Sequence, residues 1–200
     1  MIKTLIIGCN EVSKRVYEEL IQTGDFELLA MVTHNTEKAR GFIKGYPVVH
    51  FENEQRIWTR SGAHVAIFCG KLEDDLMVEG GICTQWLNMV DCCEYITSTE
   101  AHIIQMREKL MLSARRTRHT IISSVIWKEG TFSPLRQLAE NLRVVLKVEE
   151  CDCATLTARA LIAYARACVA LNNQGIFGLV HSEGVAPEHL AYRSGDYEHK

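Results

Sequence analysis

The chain has 200 residues, of which 47% are hydrophobic and 24% are charged, so it can bury a core of ordinary size and does not have the composition of a disordered protein. Its net charge of −3 gives no basic footprint of the kind that nucleic-acid-binding domains carry. No segment approaches the roughly 20 apolar residues of a membrane helix, so neither a nucleic-acid nor a membrane partner is predicted.

The cysteines indicate reduced thiols rather than disulfides. Eight are present, with no C-x-x-C pair, no framework spacing and no export signal, which favours a cytoplasmic location. Cys92-Cys93 and Cys151-x-Cys153 lack histidines at ligand spacing, so no metal site is predicted. The short basic cluster at residues 115–119 is interpreted as a solvated helix end.

The first 21 residues follow the strand, glycine, helix pattern of a dinucleotide-binding fold. An apolar strand, Lys3 to Ile7, leads into Gly8, and a helix follows. The predicted apolar face of that helix consists of Val12, Val16, Leu20 and Ile21. The fingerprint G-x-G-x-x-G keeps its first glycine, but Asn10 and Ser13 replace the second and third. Because Asn10 tolerates positive φ and Ser13 is small, we expect the fold to survive more easily than the phosphate site.

The end of the second strand predicts weak recognition of a ribose. This strand is predicted at Phe26 to Val32, and Thr33, His34 and Asn35 follow it. An NAD site carries an acid at this point, and an NADP site carries arginine. Neither is present, so these three side chains are expected to make only weak hydrogen bonds to a ribose or a phosphate.

The remaining elements alternate between strands and helices. Strands are predicted at 46–49 (edge-like), 63–70, 120–124 and 143–149, and an apolar run at 87–90 leads into Asp91. Helices are predicted from 99 to 114, at 135–142 and at 154–171. Gly175 is the predicted stop of the last helix, followed by a frayed polar tail at 176–200. The alternation predicts one Rossmann-like α/β domain at residues 1–175, with a doubly wound, mostly parallel sheet.

Three segments, in this order, resemble the meso-diaminopimelate dehydrogenases, NADP-dependent enzymes of the lysine and cell-wall pathway. Residues 88–94, N-M-V-D-C-C-E, are similar to the family's N-x-V-D-S-F-D, and residues 122–133 are similar to its S-x-G-W-D-P-G-M-F-S. Residues 163–167, A-Y-A-R-A, match the family's A-Y-A-R-A, and the Q-G-x-x-G pattern at residues 174–178 follows, as it does in the family. Together the matches extend over most of the chain and imply common ancestry.

The resemblance and the predicted fold give candidate ligand-binding residues. Those on the cofactor side are Gly8, Cys9, Asn10, Glu11, Val12, Thr33, His34, Asn35, Cys69 and Gly70. Those on the substrate side are Asp91, Glu94, Trp127 and Lys128. None of the last four is assigned as catalytic.

The departures from the family carry the functional argument. His34 and Asn35 replace the family's paired arginines, and Lys128 reverses the charge where the family handles the ammonium group of an amino acid. The family's central substrate-binding and dimer-forming domain would lie between Leu142 and Arg143, and it is absent here. This loss is expected to expose the valine-rich strand at 143–149, so a homodimer built partly from that strand is predicted.

These departures favour a non-catalytic Rossmann module that binds a partner or an altered ligand. No cofactor is assigned to it, and NADP(H) binding is predicted to be weak or absent. The alternative is a reduced NADP-dependent oxidoreductase for a small amino or keto acid, whose cleft would be closed by a partner subunit. A third hypothesis is redox sensing by Cys9, because a helix N-terminus lowers a thiol pKa, although a buried inert cysteine is the commoner outcome.

Overall fold

A seven-stranded sheet lies at the centre of the fold. The structure is a computed structural model, and it describes residues 1–51, 60–69, 86–92, 101–123, 125, 152–185 and 189–190. The strands are β1 Ile2–Ile7, β2 Phe26–Thr33, β3 Val48–His50, β4 Val65–Phe68, β5 Asn88–Asp91, β6 Thr120–Ser123 and β7 Gly178–His181. Their order is β3-β2-β1-β4-β5-β6-β7, and each neighbouring pair is parallel. The predicted Rossmann-like α/β class is therefore confirmed.

Four α-helices cover the two faces of this sheet in the described part of the chain. They are α1 Glu11–Leu20, α2 Thr36–Phe42, α3 Ala101–Thr117 and α4 Cys153–Asn173. On one face α1 packs against α4, and α4 also lies across β4, β5 and β6. On the other face Leu110 and Ala114 of α3 join the core, and α3 packs against β6 and β7.

The strands are apolar throughout because both faces of the sheet are buried. In β4, for example, Val65 and Ile67 belong to the core beneath α1 and α4, whereas Ala66 and Phe68 belong to the core on the α3 side. All four side chains are fully buried. This pattern is typical of a parallel sheet with helices on both faces, where no strand has a solvated side.

The predicted face of α1 is confirmed except at its last position. Val16 and Leu20 are buried in the core and Val12 packs at its margin. Ile21 is 46% exposed, because it is the C-cap residue and follows the last turn of the helix.

The predicted frayed tail from residue 176 is wrong for β7. Residues 178–181 pair with β6 in parallel register, and Leu179 and Val180 pack on opposite faces of the sheet. Gly178 has φ +100°, and a Cβ there would lie 2.8 Å from the Arg115 side chain, so the glycine is required where the strand begins. A strand of four residues with one apolar pair is too short to show a periodic pattern in the sequence. The strand forms because it pairs with β6.

The last helix is longer than the sequence predicted. By length and composition α4 could cross a membrane, and 61% of its most apolar window is buried inside the fold. The prediction that no segment approaches the length of a membrane helix is therefore wrong for α4, which has 21 residues. Gly175, with φ +81°, ends the helical region as predicted. The helix predicted at 135–142 and the strand predicted at 143–149 lie outside the described residues.

Candidate functional site

The crevice between β1 and β4 is the point where the strand order reverses. After β1 the chain continues to β2 and β3 on one side, and it then returns to β4 on the other side. Ile7 and Phe68 are paired at the carboxyl ends of the two strands, so Gly8 and Cys69 begin the loops that flank the crevice. In open α/β sheets, ligands bind at this switch point. The structure thus brings the predicted cofactor-side residues of these two loops together.

Gly8, rather than Asn10, supplies the positive φ of the first loop. Gly8 has φ +106°, and its N–H donates to the carbonyl of Val32 at 2.9 Å. Asn10 has φ −135°, which is an extended conformation open to any residue. The expectation that Asn10 substitutes for glycine through its tolerance of positive φ is therefore wrong.

Asn10 and Ser13 instead form a reciprocal cap on α1. The Asn10 side-chain oxygen accepts from the Ser13 N–H at 2.9 Å, and the Ser13 hydroxyl oxygen accepts from the Asn10 N–H at 2.8 Å. This is a capping box, and it uses two of the amides that a phosphate could otherwise contact. Ser13 is fully buried, which agrees with the prediction that a small residue here preserves helix packing.

The other end of the Asn10 side chain crosses the switch point. Its amide nitrogen donates to the carbonyl oxygen of Cys69, immediately after β4. A glycine at position 10 would leave this space open to the pyrophosphate of a dinucleotide. The side chain of Asn10 therefore ties the β1 and β4 loops together across the crevice.

The charges on the first turn of α1 oppose a phosphate. Glu11 lies in this turn, where its carboxylate favours the helix dipole but repels an anion. Arg15 lies one turn later and contacts Glu11 at 3.4 Å, Glu18 at 2.9 Å and Asp152 at 3.7 Å. Its hydrogen bond to Glu18, aided by these three carboxylates, raises the pKa of Arg15. The guanidinium is thus held by protein carboxylates rather than left to a phosphate.

The residues at the tip of β2 make local contacts. The Thr33 hydroxyl accepts from the Asn35 N–H at 3.1 Å, and Asn35 caps α2 by accepting from the Lys38 N–H at 3.0 Å. The His34 ring stacks on Phe51 with 4.9 Å between ring centroids.

Sequence reasoning missed a His34, His50 and Phe51 cluster at this edge. The His50 ring meets His34 edge-on at 5.7 Å, in addition to the stack of His34 on Phe51. No local sequence pattern marks this cluster, because the parallel pairing of Thr33 with His50 brings the residues that end β2 and β3 side by side.

Burial raises the pKa of the thiols at the crevice. Burial raises the pKa of Cys9, against smaller lowering effects of Lys38 and of a hydrogen bond to Thr33. The redox-sensing hypothesis required the opposite direction at Cys9, so the structure corrects it. Burial also raises the pKa of Cys69 well above its usual range, and burial with the nearby Asp91 carboxylate raises that of Cys92 to about 12.

On the substrate side the structure describes one of the four predicted residues. Asp91 ends β5, is fully buried, and accepts from the Ser123 hydroxyl of β6 at 3.0 Å. Glu94, Trp127 and Lys128 lie outside the described residues, as does Gly70 on the cofactor side. Among the described residues, no group of three or more histidine, cysteine or carboxylate side chains is placed to hold a metal ion.

The motif residues that carry the family resemblance hold the scaffold. In A-Y-A-R-A, Arg166 donates to the Asp25 carboxylate at 2.5 and 3.2 Å and lies 5.2 Å from the centroid of the Phe26 ring. Tyr164 donates to the carbonyl of Ser182 at 3.1 Å. Asn88 donates to the carbonyl of His64 and accepts from the Thr120 N–H, both at 2.9 Å. None of these contacts lies in the crevice.

Comparison with known proteins agrees with the fold. The fold and the switch-point crevice place the chain in the class of Rossmann-type proteins, and no protein-family model matches it. The chain is 29% identical over 143 residues to the meso-diaminopimelate D-dehydrogenase of Ureibacillus thermosphaericus. The match covers 72% of this chain and 41% of that enzyme. The resemblance to the meso-diaminopimelate dehydrogenases is confirmed: the chain is a relative of these enzymes.

Solved structures show the same fold at low sequence identity. An engineered D-amino acid dehydrogenase bound to NADP⁺ is similar with a TM-score of 0.74 and 13% identity, over 98% of this chain and 97% of that one. The C. glutamicum diaminopimelate dehydrogenase in complex with diaminopimelate is similar with a TM-score of 0.74 and 12% identity, over 96% of both chains. At these identities the likeness establishes the fold alone.

Proposed function

We propose that this chain is a diaminopimelate dehydrogenase-like Rossmann module that does not catalyse and binds NADP(H) weakly or not at all. It acts by binding a protein partner or an altered ligand, in the cytoplasm. The observation that carries the proposal is the Asn10 side chain, which caps α1 and also bridges to Cys69 across the switch point. A dinucleotide has to displace both contacts before its pyrophosphate reaches the amides of α1.

The energetics of the loop support weak binding. Loss of an N-cap costs about 1 kcal/mol, and loss of the bridging hydrogen bond costs about as much again. Each 1.4 kcal/mol weakens a dissociation constant tenfold, so these two costs together reduce affinity by roughly tenfold to a hundredfold. Glu11 adds like-charge repulsion, and His34 and Asn35 provide no guanidinium for a 2′-phosphate.

Calorimetric titration with NADPH tests the proposal. We expect a dissociation constant weaker than roughly 10 μM, or no detectable heat. Asn10→Gly with Ser13→Gly should tighten binding at least tenfold, because the loop regains open amides. Asn172→Ala is the control: it removes a side-chain hydrogen bond to the carbonyl of Arg118 at the opposite edge of the sheet and should leave NADPH binding unchanged. Tight binding by the unmodified chain would overturn the proposal.

A second candidate function is a reduced NADP-dependent oxidoreductase for a small amino or keto acid. The buried Asp91 carboxylate favours it, because this carboxylate remains at the carboxyl end of β5 with a hydroxyl donor beside it. Glu94, Trp127 and Lys128 complete the proposed substrate side.

Incubation with meso-diaminopimelate and NADP⁺ distinguishes the two candidates. We expect no cofactor reduction, even with Asn10→Gly and Ser13→Gly, because Lys128 repels an ammonium group and the relative's length is only partly matched. Reduction above the blank in the double variant would support the oxidoreductase.

We also propose that the chain forms a homodimer built partly from residues 143–149. The support is the valine-rich character of that segment, which needs a covered face or a paired edge. Light scattering after size-exclusion chromatography should give about twice the 22.6 kDa of one chain. A monodisperse species of one chain would contradict the dimer, and a dimer that survives Val145→Lys with Val148→Lys would contradict its location.

A further inference from the structure

A cavity of about 360 Å³ opens at the amino edge of the sheet, opposite the switch-point crevice. It lies where β4, β5 and β6 begin, and α3 and α4 end beside it. The volume is within the range of small-molecule sites. Its described lining has an apolar part, formed by Ala63, Leu87 and Val169, and a polar part, formed by His64, Arg118 and Asn173. No aspartate or glutamate is among the described lining residues.

Arg118 occupies a backbone position that glycine normally takes. Its φ is +60°, and it is the one non-glycine residue with positive φ in the described part of the chain. It follows α3, and the His119 N–H closes the helix end by donating to the carbonyl of Ala114 at 2.9 Å. In this C-terminal motif the left-handed residue is most often glycine. Arginine here costs stability, and its exposed side chain lies in the cavity wall with no ion pair among the described residues.

The ends of the two helices do not cancel this charge. At α3 the carbonyls of Ala114 and Arg115 accept backbone amides, and at α4 those of Ala170, Leu171 and Asn172 do so as well. The carbonyl of Arg118 itself accepts from the Asn172 side chain at 2.8 Å. These carbonyls therefore have donors within the fold, and the guanidinium is not needed to satisfy them.

His64 and Trp86 define the shape of the ligand. The Nδ1 atom of His64 accepts from the Lys3 N–H at 3.3 Å, and burial, with the charge of Lys3, lowers the pKa of this imidazole despite the nearby Glu27. A neutral His64 then carries its proton on Nε2, as a donor. Trp86 lines the cavity and is 48% exposed, so its indole offers a surface for a flat ring.

We infer that this cavity binds a small planar aromatic carboxylate. Arg118 pairs with the carboxylate, His64 and Asn173 donate to its oxygens, and the ring lies against Trp86 above the apolar floor. This site is independent of the switch-point crevice and of the proposed function.

Calorimetric titration with 2-naphthoate, and with the uncharged 2-naphthamide, tests the inference on the full chain. We expect the acid to bind at least tenfold more tightly than the amide. Arg118→Gly should abolish that preference and Arg118→Lys should retain part of it, because the lysine keeps the charge without the planar fork. Trp86→Ala should weaken both probes. The inference is overturned if 2-naphthoate does not bind, or if the acid and the amide bind equally.

Thermal unfolding separates this role from a structural role of Arg118. Since glycine is preferred at φ +60°, Arg118→Gly should raise the melting temperature by roughly 2–4 °C while it abolishes the preference for the acid. If Arg118 served only to complement the end of α3, the same variant would melt at a lower temperature and bind 2-naphthoate unchanged. That outcome overturns the inference.

Discussion

Two regions of this protein differ in their similarity to the sequence motifs of the meso-diaminopimelate dehydrogenases: the interior contacts use matching residues, and the switch-point loops do not. Asn88, Tyr164 and Arg166 stand in the matched motifs, and each ties its strand or helix to a loop or turn distant in the chain. Asn10, Ser13 and His34 depart from the family, and each uses its side chain within the fold. The comparison teaches that a scaffold can be preserved while the loops that would hold a nucleotide form contacts of their own.

The physical reason is that a substitution in the interior changes the stability of the fold differently from a substitution in the loop. An interior ion pair or amide bridge that loses one partner leaves a buried polar group unsatisfied, which is severely destabilising. A loop glycine that becomes Asn or Ser can add a cap and stabilise the fold. Stability therefore disfavours changes in the interior contacts and permits those in the loop.

The largest expected effect is on the Asp25–Arg166 pair. Asp25 and Arg166 have side-chain exposures of only 3% and 15%, so Arg166→Met leaves a buried carboxylate without its guanidinium. We expect a loss of about 3–5 kcal/mol in the free energy of unfolding, measured by urea denaturation. Arg159→Met is the matched control on the same helix, because the Arg159–Glu19 pair at 3.0 Å is more exposed than the Arg166–Asp25 pair, with side-chain exposures of 56% and 27%, and should contribute less than about 1 kcal/mol. Equal losses would contradict the distinction between interior and surface contacts.

An intermediate effect is expected from the two asparagine caps. Asn10→Ala removes the capping box and the bridge to Cys69, whereas Asn35→Ala removes one bond at the start of the short helix α2. We expect losses of about 2 kcal/mol and about 0.5–1 kcal/mol respectively, because only the first cap also spans two loops. Urea denaturation measures both, and a smaller loss at Asn10 than at Asn35 would show that the bridge does not stabilise the crevice.

The smallest expected effect is the alkaline destabilisation caused by Cys92. Its pKa rises from 9.0 to about 12 in the folded chain, so between these values the unfolded chain loses a proton that the native chain keeps. Stability therefore falls as the pH rises through this window. Near pH 10 the thiol is expected to cost less than about 1 kcal/mol, a value reduced because Cys92 is only half-buried. Cys92→Ala should reduce the alkaline slope, and the part due to other buried thiols such as Cys69 should remain. Cys153→Ala, at an exposed site, should leave the slope unchanged, and equal slopes for the two variants would contradict the assignment.

Much of the fold could be predicted because its signals are local. The strands β1, β2 and β4 are buried on both faces of the sheet, so they consist of apolar runs, and the buried helix α4 is rich in small residues. Both patterns can be seen directly in the sequence. Gly175 could be predicted as the end of α4 from its residue type, since the positive φ that ends a helix favours glycine. The candidate crevice followed from the strand, glycine, helix order at Gly8.

The sequence by itself thus determined the parallel α/β architecture, the position of the crevice and the kinship with the dehydrogenases. Only the tertiary structure decided that Asn10 reaches Cys69, that Arg166 meets Asp25, and that residues 178–181 form β7. It also decided that burial raises the pKa of Cys9, where a helix N-terminus alone would lower it. These outcomes join residues far apart in the chain or depend on burial by distant elements, and such contacts leave no local pattern because only the folded chain brings the partners within reach.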